Sequence, residues 1–475
     1  MLKLMSRLFK IISFGCAGLI TLVLIVATII ESLYGSLFVI EYIYHSYWFI
    51  ALWLCLAVAA VVYILCASRR ISLILLHFSF VVVLLGAFVS FLSSKRGDME
   101  LAQESAPASM YTTPDGRLEK LPFRFQLLGV DTLYSKENGA PDDYKAYILS
   151  DDKKECTQHI ISLNSPVEIN GYQFCIKGFD DNGISLLVSY DRYGRTISYL
   201  GYLMVFLSFL MLFFDKKSGF VGTLLLLQGK KSGNAGADNV KHSEFLSPRD
   251  LAGRIGCLML CVVVLLSLFW YKRGVFPAAN GAEALLLLGV TTAILAGIFR
   301  FKRNFSHLAK PLAMLSFVAC VIAVRNIEWS DDVQPILRTP LLGIHVTTII
   351  IAYALLACTA LNAVIALCTK DSKRRARQAL LGRAMLYPAT MLLATGIFIG
   401  AVWANISWGR YWGWDPKEVW ALVTLLVCSV AFHTHSLRFI AKPVAFHIFC
   451  IVAFAVVLFT FFGVNYLLGG LHSYA

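Results

Sequence analysis

The chain has 475 residues, 58% of them hydrophobic and only 15% charged, with a mean hydropathy of +0.69, whereas about a quarter of a soluble domain is charged. That excludes a soluble globular protein and points to a chain that crosses a membrane many times. The formal net charge of +13 falls mostly in short basic runs between apolar segments, the pattern that sets membrane orientation, so it gives no reason to expect a nucleic-acid partner.

A crossing helix needs about 20 apolar residues. Eleven segments meet or approach this, at 11–32, 47–67, 71–93, 197–214, 253–270, 282–299, 308–324, 343–368, 384–404, 418–436 and 444–467. Residues 11–32 are too long for a signal-peptide core and read as a retained first span. Lys3, Arg7 and Lys10, Arg69 and Arg70, Lys216, Lys217, Lys230 and Lys231, Arg300, Lys302 and Arg303, Lys370 to Arg377, and Arg438 with Lys442 then fall on one side, with Lys272, Arg273, Arg325 and Arg338 as exceptions on the other. By the positive-inside rule the first of these sides is the cytoplasm. The apolar run at 219–228 is too short to span and is expected at the interface.

Residues 94–196 are polar enough to fold outside the membrane. Phe125–Leu133, Tyr144–Leu149, Ile160–Leu163, Tyr172–Lys177 and Ile184–Tyr190 are rich in β-branched and aromatic residues, and Asn-Gly pairs at 138, 170 and 182 punctuate them. The fold class expected is a polytopic α-helical membrane protein of about eleven transmembrane helices with a small extracytoplasmic β-domain. Residues 215–252 read as a cytoplasmic linker between a four-span half, 1–214, and a seven-span half, 253–475, as in a fusion of two subunits.

Twelve cysteines are scattered, with no CxxC pair, which argues against a zinc or thioredoxin-like centre. Cys156 and Cys175 sit in the polar region, where a disulfide is open to them. Among the ten histidines, His77 lies about six residues into its span, roughly 9 Å from the cytoplasmic end, and His433 lies near the same end of another. His345 opens a span on the outer side and His472 follows the last one. His435, two residues from His433, would point about 200° away on a helix, so at most one of the two faces a shared site, and the deeper His433 is preferred. His45, His159, His242 and His307 read as solvated, and His447 has no identifiable partner. A lone histidine near a span end is most often an interfacial residue, but four falling as two same-side pairs suit the two axial imidazoles of a haem iron. Zinc would require more ligands nearby than the sequence supplies.

Five of the nine tryptophans, Trp403, Trp408, Trp412, Trp414 and Trp420, fall between 403 and 420, together with Pro416, Asp415, Lys417 and Glu418. Tryptophan does gather at membrane interfaces. So dense a cluster with fixed charges instead suggests a partly ordered loop that offers a platform to a flat apolar ligand.

The run WGRYWGWDPKEVWAL at Trp408–Leu422 resembles the tryptophan-rich WWD signature of haem-handling proteins, in particular the CcsA/ResC branch of System II cytochrome c biogenesis. AFHTHS around His433, GVNYLLGGLHSY at Gly463–Tyr474 and His345 extend the likeness. The first half, three spans, a β-domain and a fourth span with His77, is similar to the CcsB/ResB partner. The resemblance implies a fused cytochrome c synthase of the bacterial cytoplasmic membrane, its loop and β-domain periplasmic. On that basis haem b enters between His77 and His433 and passes to an outer site with His345 and His472 as axial ligands. Trp403, Trp408, Trp412 and Trp414 pack on the macrocycle, Asp415 caps or salt-bridges within the loop, and Arg410 or Lys417 pairs with a propionate. The partners implied are an apocytochrome c with a CxxCH motif and thiol-reducing proteins on the outer side. Two other readings compete: a haem transporter that serves a separate ligase, and a proton-coupled respiratory subunit, which would call for intramembrane carboxylates beyond Glu31, Glu283 and Glu418.

Overall fold

The computed structural model describes residues 2–67, 70–103, 106–134, 139, 141–151, 156–180, 183–228, 280–326, 334–434 and 436–468. Ten of the helices within them are long and apolar enough to cross a membrane, and an antiparallel β-sheet forms a separate layer at one end, so the chain is a multi-pass membrane protein. The expected span at 253–270, His242, His435 and His472 lie outside the described residues.

The first half comprises α1 (Leu2–Tyr34), α2 (Tyr47–Ala67) and α3 (Ile71–Ser93), then eight strands, then α4 (Arg192–Phe214). The nine apolar residues Gly219–Leu227 form a further helix, α5, after a turn begun by Asp215. At about 1.5 Å per residue it is far shorter than the roughly 30 Å hydrocarbon layer, so it adds no separate crossing. Its Phe220 packs against Tyr387. The second half contributes α6 (Gly281–Arg300), α7 (Ser306–Asn326), α8 (Pro340–Leu367), α9 (Ser372–Trp408), α10 (Pro416–Val430) and α11 (Pro443–Leu458), the last continued by a π-helical stretch to Leu468.

Helices α3 and α4 meet along small residues. A Cβ on Gly86 would stand 2.5 Å from the Ser198 main-chain nitrogen, and one on Gly201 would stand 2.8 Å from that of Val83. In lipid, where apolar burial does not draw helices together, such close backbone approach supplies the dispersion contact that does. This seam holds α4 rigidly beside α3, the helix that carries His77. Trp420 of α10 reaches across to α1, its Nε1–H donating to Thr28 Oγ1 at 3.1 Å, and so ties the two halves together.

The strands are β1 (Lys95–Ala102), β2 (Ala108–Thr112), β3 (Leu118–Tyr134), β4 (Pro141–Asp151), β5 (Cys156–Ser162), β6 (Val167–Ile169), β7 (Tyr172–Asp180) and β8 (Gly183–Tyr190), in the order β5-β4-β3-β2-β1-β8-β7-β6. The sheet curls around one core that includes Phe123, Phe125, Ile148, Ile161, Phe174 and Leu186. The Asn170-Gly171 turn is a two-residue hairpin with both φ values positive, 52° and 85°, as a turn matched to strand twist requires. Strand β1 issues directly from the end of α3, and β8, paired with β1, runs through Asp191 straight into α4. The sheet is thereby anchored at both ends to the paired helices. The disulfide left open for Cys156 and Cys175 does not form: Cys156 is exposed on β5, and Cys175 is buried on β7.

Candidate functional site

Two histidine regions lie at opposite ends of the helices. On the side away from the β-sheet, the start of α3 and the end of α10 converge, with the His77 and His433 ring centroids 6.0 Å apart and the rings nearly perpendicular. Phe14 of α1 lies edge-on to His433 at 5.3 Å. Each Nδ1 faces the carbonyl oxygen four residues back, Leu73 O at 2.8 Å and Ser429 O at 2.9 Å. A carbonyl only accepts, so Nδ1 carries the proton and Nε2 the lone pair, which is the form in which imidazole binds a metal. Among the described residues no cluster of three or more His, Cys, Asp or Glu side chains is suited to a metal ion. Two such nitrogens could serve as the axial pair of an iron whose other ligands come from a macrocycle.

On the β-sheet side, α9 ends at Trp408 and Gly409 takes the left-handed conformation, φ 64°. The irregular loop is thus residues 409–415, shorter than the run of tryptophans suggests. Trp403 belongs to α9 and Trp420 to α10, and they are 3% and 7% exposed. The tryptophans do not share one flat platform. Trp403 and Trp408 pair at 4.8 Å beside Leu337 and Leu342, while Trp412 and Trp414 stand perpendicular at 5.8 Å. The buried Nε1–H groups of Trp403 and Trp412 have no acceptor among the described residues, a feature that a polar ligand atom would relieve.

Trp414 has φ 59°, a conformation that costs a bulky residue about 1–3 kcal/mol. It is held there by stacking on Tyr44 at 4.4 Å and 11° and by Phe49 at 5.8 Å. The loop is closed by a capping box: Asp415 Oδ1 accepts from the Lys417 N–H at 2.9 Å, and Glu418 Oε2 accepts from the Gly413 N–H at 2.8 Å and the Asp415 N–H at 3.3 Å. Asp415 thus serves as the cap of α10. Lys417 Nζ donates to Asn465 at 3.0 Å.

His345, in the second turn of α8, directs Nδ1 to Gly396 O at 2.7 Å. It lies so close to Gly400 that a Cβ there would stand 2.5 Å from its Cε1. Its side of the molecule is that of the tryptophan loop. Of the remaining histidines, His307 is not a solvated loop residue. It lies in α7, with Nε2 3.0 Å from Asn362 Oδ1. His447 finds the Arg375 carbonyl at 3.2 Å.

The β-sheet grips the base of the loop through residues that sequence reasoning did not single out. Gln173 Nε2 donates to Asn405 O at 2.7 Å, Asn405 Nδ2 donates back to Gln173 Oε1 at 3.2 Å, and Arg195 Nη1 donates to the same Oε1 at 2.6 Å. Ser407 Oγ donates to Asn164 at 3.0 Å. The Cys175 thiol points at Ile406 O, and burial pushes it up to about 12, so it stays protonated and unreactive. Only the position of Asn405 inside the tryptophan run hinted at this clasp, because nothing marks Gln173 within an ordinary strand.

Residues 278–472 match the family described as cytochrome C assembly protein, and residues 66–193 match the ResB-like family. The cytochrome c biogenesis protein CcsA of Chlamydomonas reinhardtii is 32% identical over 238 residues, 46% of this chain and 67% of that protein. The CcsA of Solanum tuberosum is 31% identical over 257 residues, 45% of this chain and 82% of its own length. Protein NrfI of Wolinella succinogenes is 31% identical over 215 residues, 43% of this chain but 24% of that longer protein. The chain therefore belongs to the CcsA family of cytochrome c biogenesis proteins, with a ResB-like region and a CcsA-type region fused in one polypeptide.

Proposed function

We propose that this chain is a holocytochrome c synthase that carries haem b through the membrane and joins it covalently to the cysteines of an apocytochrome c CxxCH segment. The observation that carries the reading is the His77–His433 pair, two lone-pair-bearing imidazoles contributed by the two regions of the chain and facing each other at one end of the helices. On this reading residues 1–214 and 253–475, joined by 215–252, act as one unit in the bacterial cytoplasmic membrane. The basic runs at Arg70, Lys216, Lys217 and Lys370 to Arg377 share the end of His77, which supports placing that end in the cytoplasm and the tryptophan loop outside.

At the outer end His345 and His472 hold the iron, and Trp412 and Trp414 bear on the macrocycle. Each substrate thiol adds across a vinyl C=C: sulfur bonds to one carbon, the thiol hydrogen goes to the other, and nothing leaves. The protein supplies position, holding thiol and vinyl at near-attack distance in a site the capped loop keeps rigid. The chain has no CxxC of its own, so both reacting thiols come from the apocytochrome. A thiol-reducing protein on the same side keeps them reduced.

The test is to express the chain with a CxxCH apocytochrome in a host lacking its own maturation system. A polypeptide that retains haem under denaturing electrophoresis is expected. Haem delivered but never covalently held would identify a transporter that serves a separate ligase.

A further inference from the structure

The two histidines that face each other are not held alike. His77 lies inside the regular helix α3, with helix on both sides of it. His433 lies beyond the end of α10, in the 3₁₀ turn Ala431–His433 that follows Val430. A 3₁₀ turn has poorer hydrogen-bond geometry than an α-helix, so it fixes a side chain's direction less firmly. The aim of the His433 ring therefore depends on what grips the residues on either side of it.

Both sides are gripped from other helices. On the preceding side the Phe432 ring packs on Tyr387 of α9 with centroids 4.7 Å apart, and Tyr387 is backed by Phe220 of α5 at 5.7 Å. On the following side the His433 carbonyl accepts from the Ser436 N–H at 2.9 Å and from the Leu437 N–H at 2.7 Å, which closes the turn. The Ser436 hydroxyl in its turn shares a hydrogen bond with the Tyr63 hydroxyl of α2, a half-buried contact between residues 373 apart in the chain. Tyr63 lies near the end of α2, which closes at Ala67, just as His77 lies near the start of α3. Phe14 of α1 covers the edge of the His433 ring.

We infer that Tyr63 is a positioning residue for His433: its hydrogen bond to Ser436 fixes the turn at 433–437 and so aims the imidazole at the iron that His77 also binds. This rests on the haem reading above. The half of the chain that supplies one axial imidazole thus also sets the direction of the other. The hydroxyl carries the role, because the Tyr63 ring alone makes no hydrogen bond to the turn.

Full-length protein is purified with haem, with His345→Ala in every sample so that only the inner pair gives a six-coordinate iron. The reduced form is titrated with carbon monoxide, which competes with an axial imidazole. Tyr63→Phe and Ser436→Ala should each lower the half-saturating carbon monoxide concentration about three- to tenfold, the range that loss of one hydrogen bond gives. The double variant should behave like either single one, because both remove the same bond. Ser436→Thr, which keeps the hydroxyl, should titrate as Ser436 does. A merely destabilised fold would lower the yield of haem-loaded protein without moving this competition. Unchanged competition in both single variants overturns the proposal, and so does a double variant whose effect is the product of the two single ones. His77→Ala separates the positioning role from the haem reading beneath it. Low-spin bands lost in His77→Ala while Tyr63→Phe changes nothing overturn the positioning role alone, whereas bands that survive His77→Ala overturn both.

Discussion

Purified His77→Ala and His433→Ala proteins are each expected to lose the low-spin absorption bands of a bis-imidazole iron and to make covalent product at least about a hundredfold more slowly. Loss of even a supporting group around a metal commonly costs ten- to a hundredfold, and on the proposed function a direct ligand is removed. The two substitutions should be equivalent, because each leaves one imidazole facing the cavity of the other. His307→Ala and His447→Ala serve as controls. Both histidines lie in the helical region, but their rings bond to Asn362 and to the Arg375 carbonyl, so neither change should alter the spectrum. Unchanged bands in His77→Ala and His433→Ala would remove the pair from the haem path.

Gln173→Leu is expected to separate binding from attachment. Leucine fills a similar volume but strands the Asn405 side-chain amide, the Asn405 carbonyl and one arm of Arg195, each of which now bonds to Gln173. An unsatisfied buried polar group costs about 1–3 kcal/mol, so the base of the loop should loosen and covalent product should fall tenfold or more. The bands that depend on His77 and His433 should persist, since those residues lie at the opposite end of the helices. Product formation at the wild-type rate would show that the β-sheet does not position the loop.

Much of this arrangement was legible in the sequence because lipid imposes a simple rule: long apolar runs become helices. The ten candidate spans fall where hydropathy places them. Strands β3, β4, β5, β7 and β8 were visible from β-branched content and Asn-Gly turns. Strand β1, Lys-Arg-Gly-Asp-Met-Glu-Leu-Ala, was not, because its charged residues alternate with a buried Met99 and Leu101 and no turn precedes it. The tryptophan run was read as one loop because sequence proximity ignores helix geometry. Gly409 ends α9 and Pro416 opens α10, which sends Trp403 and Trp420 into helix packing and leaves only Trp412 and Trp414 on the loop. For His77 and His433 spacing along the chain sets depth in a helix but not direction around it, and the packing of α3 against the end of α10 supplies that direction. The Gln173 clasp and the Tyr63–Ser436 bond were invisible for a related reason: both join segments far apart in the chain through contacts that leave no local signature.

The most direct test uses the purified chain, haem and a reduced CxxCH peptide under anaerobic conditions, followed by the mass of the peptide after extraction with acidified solvent. A peptide heavier by one haem that solvent does not remove is expected from the wild type and is lost in His433→Ala. A peptide of unchanged mass, from protein whose bis-imidazole bands are intact, would rule out attachment and leave the chain as a carrier of haem alone.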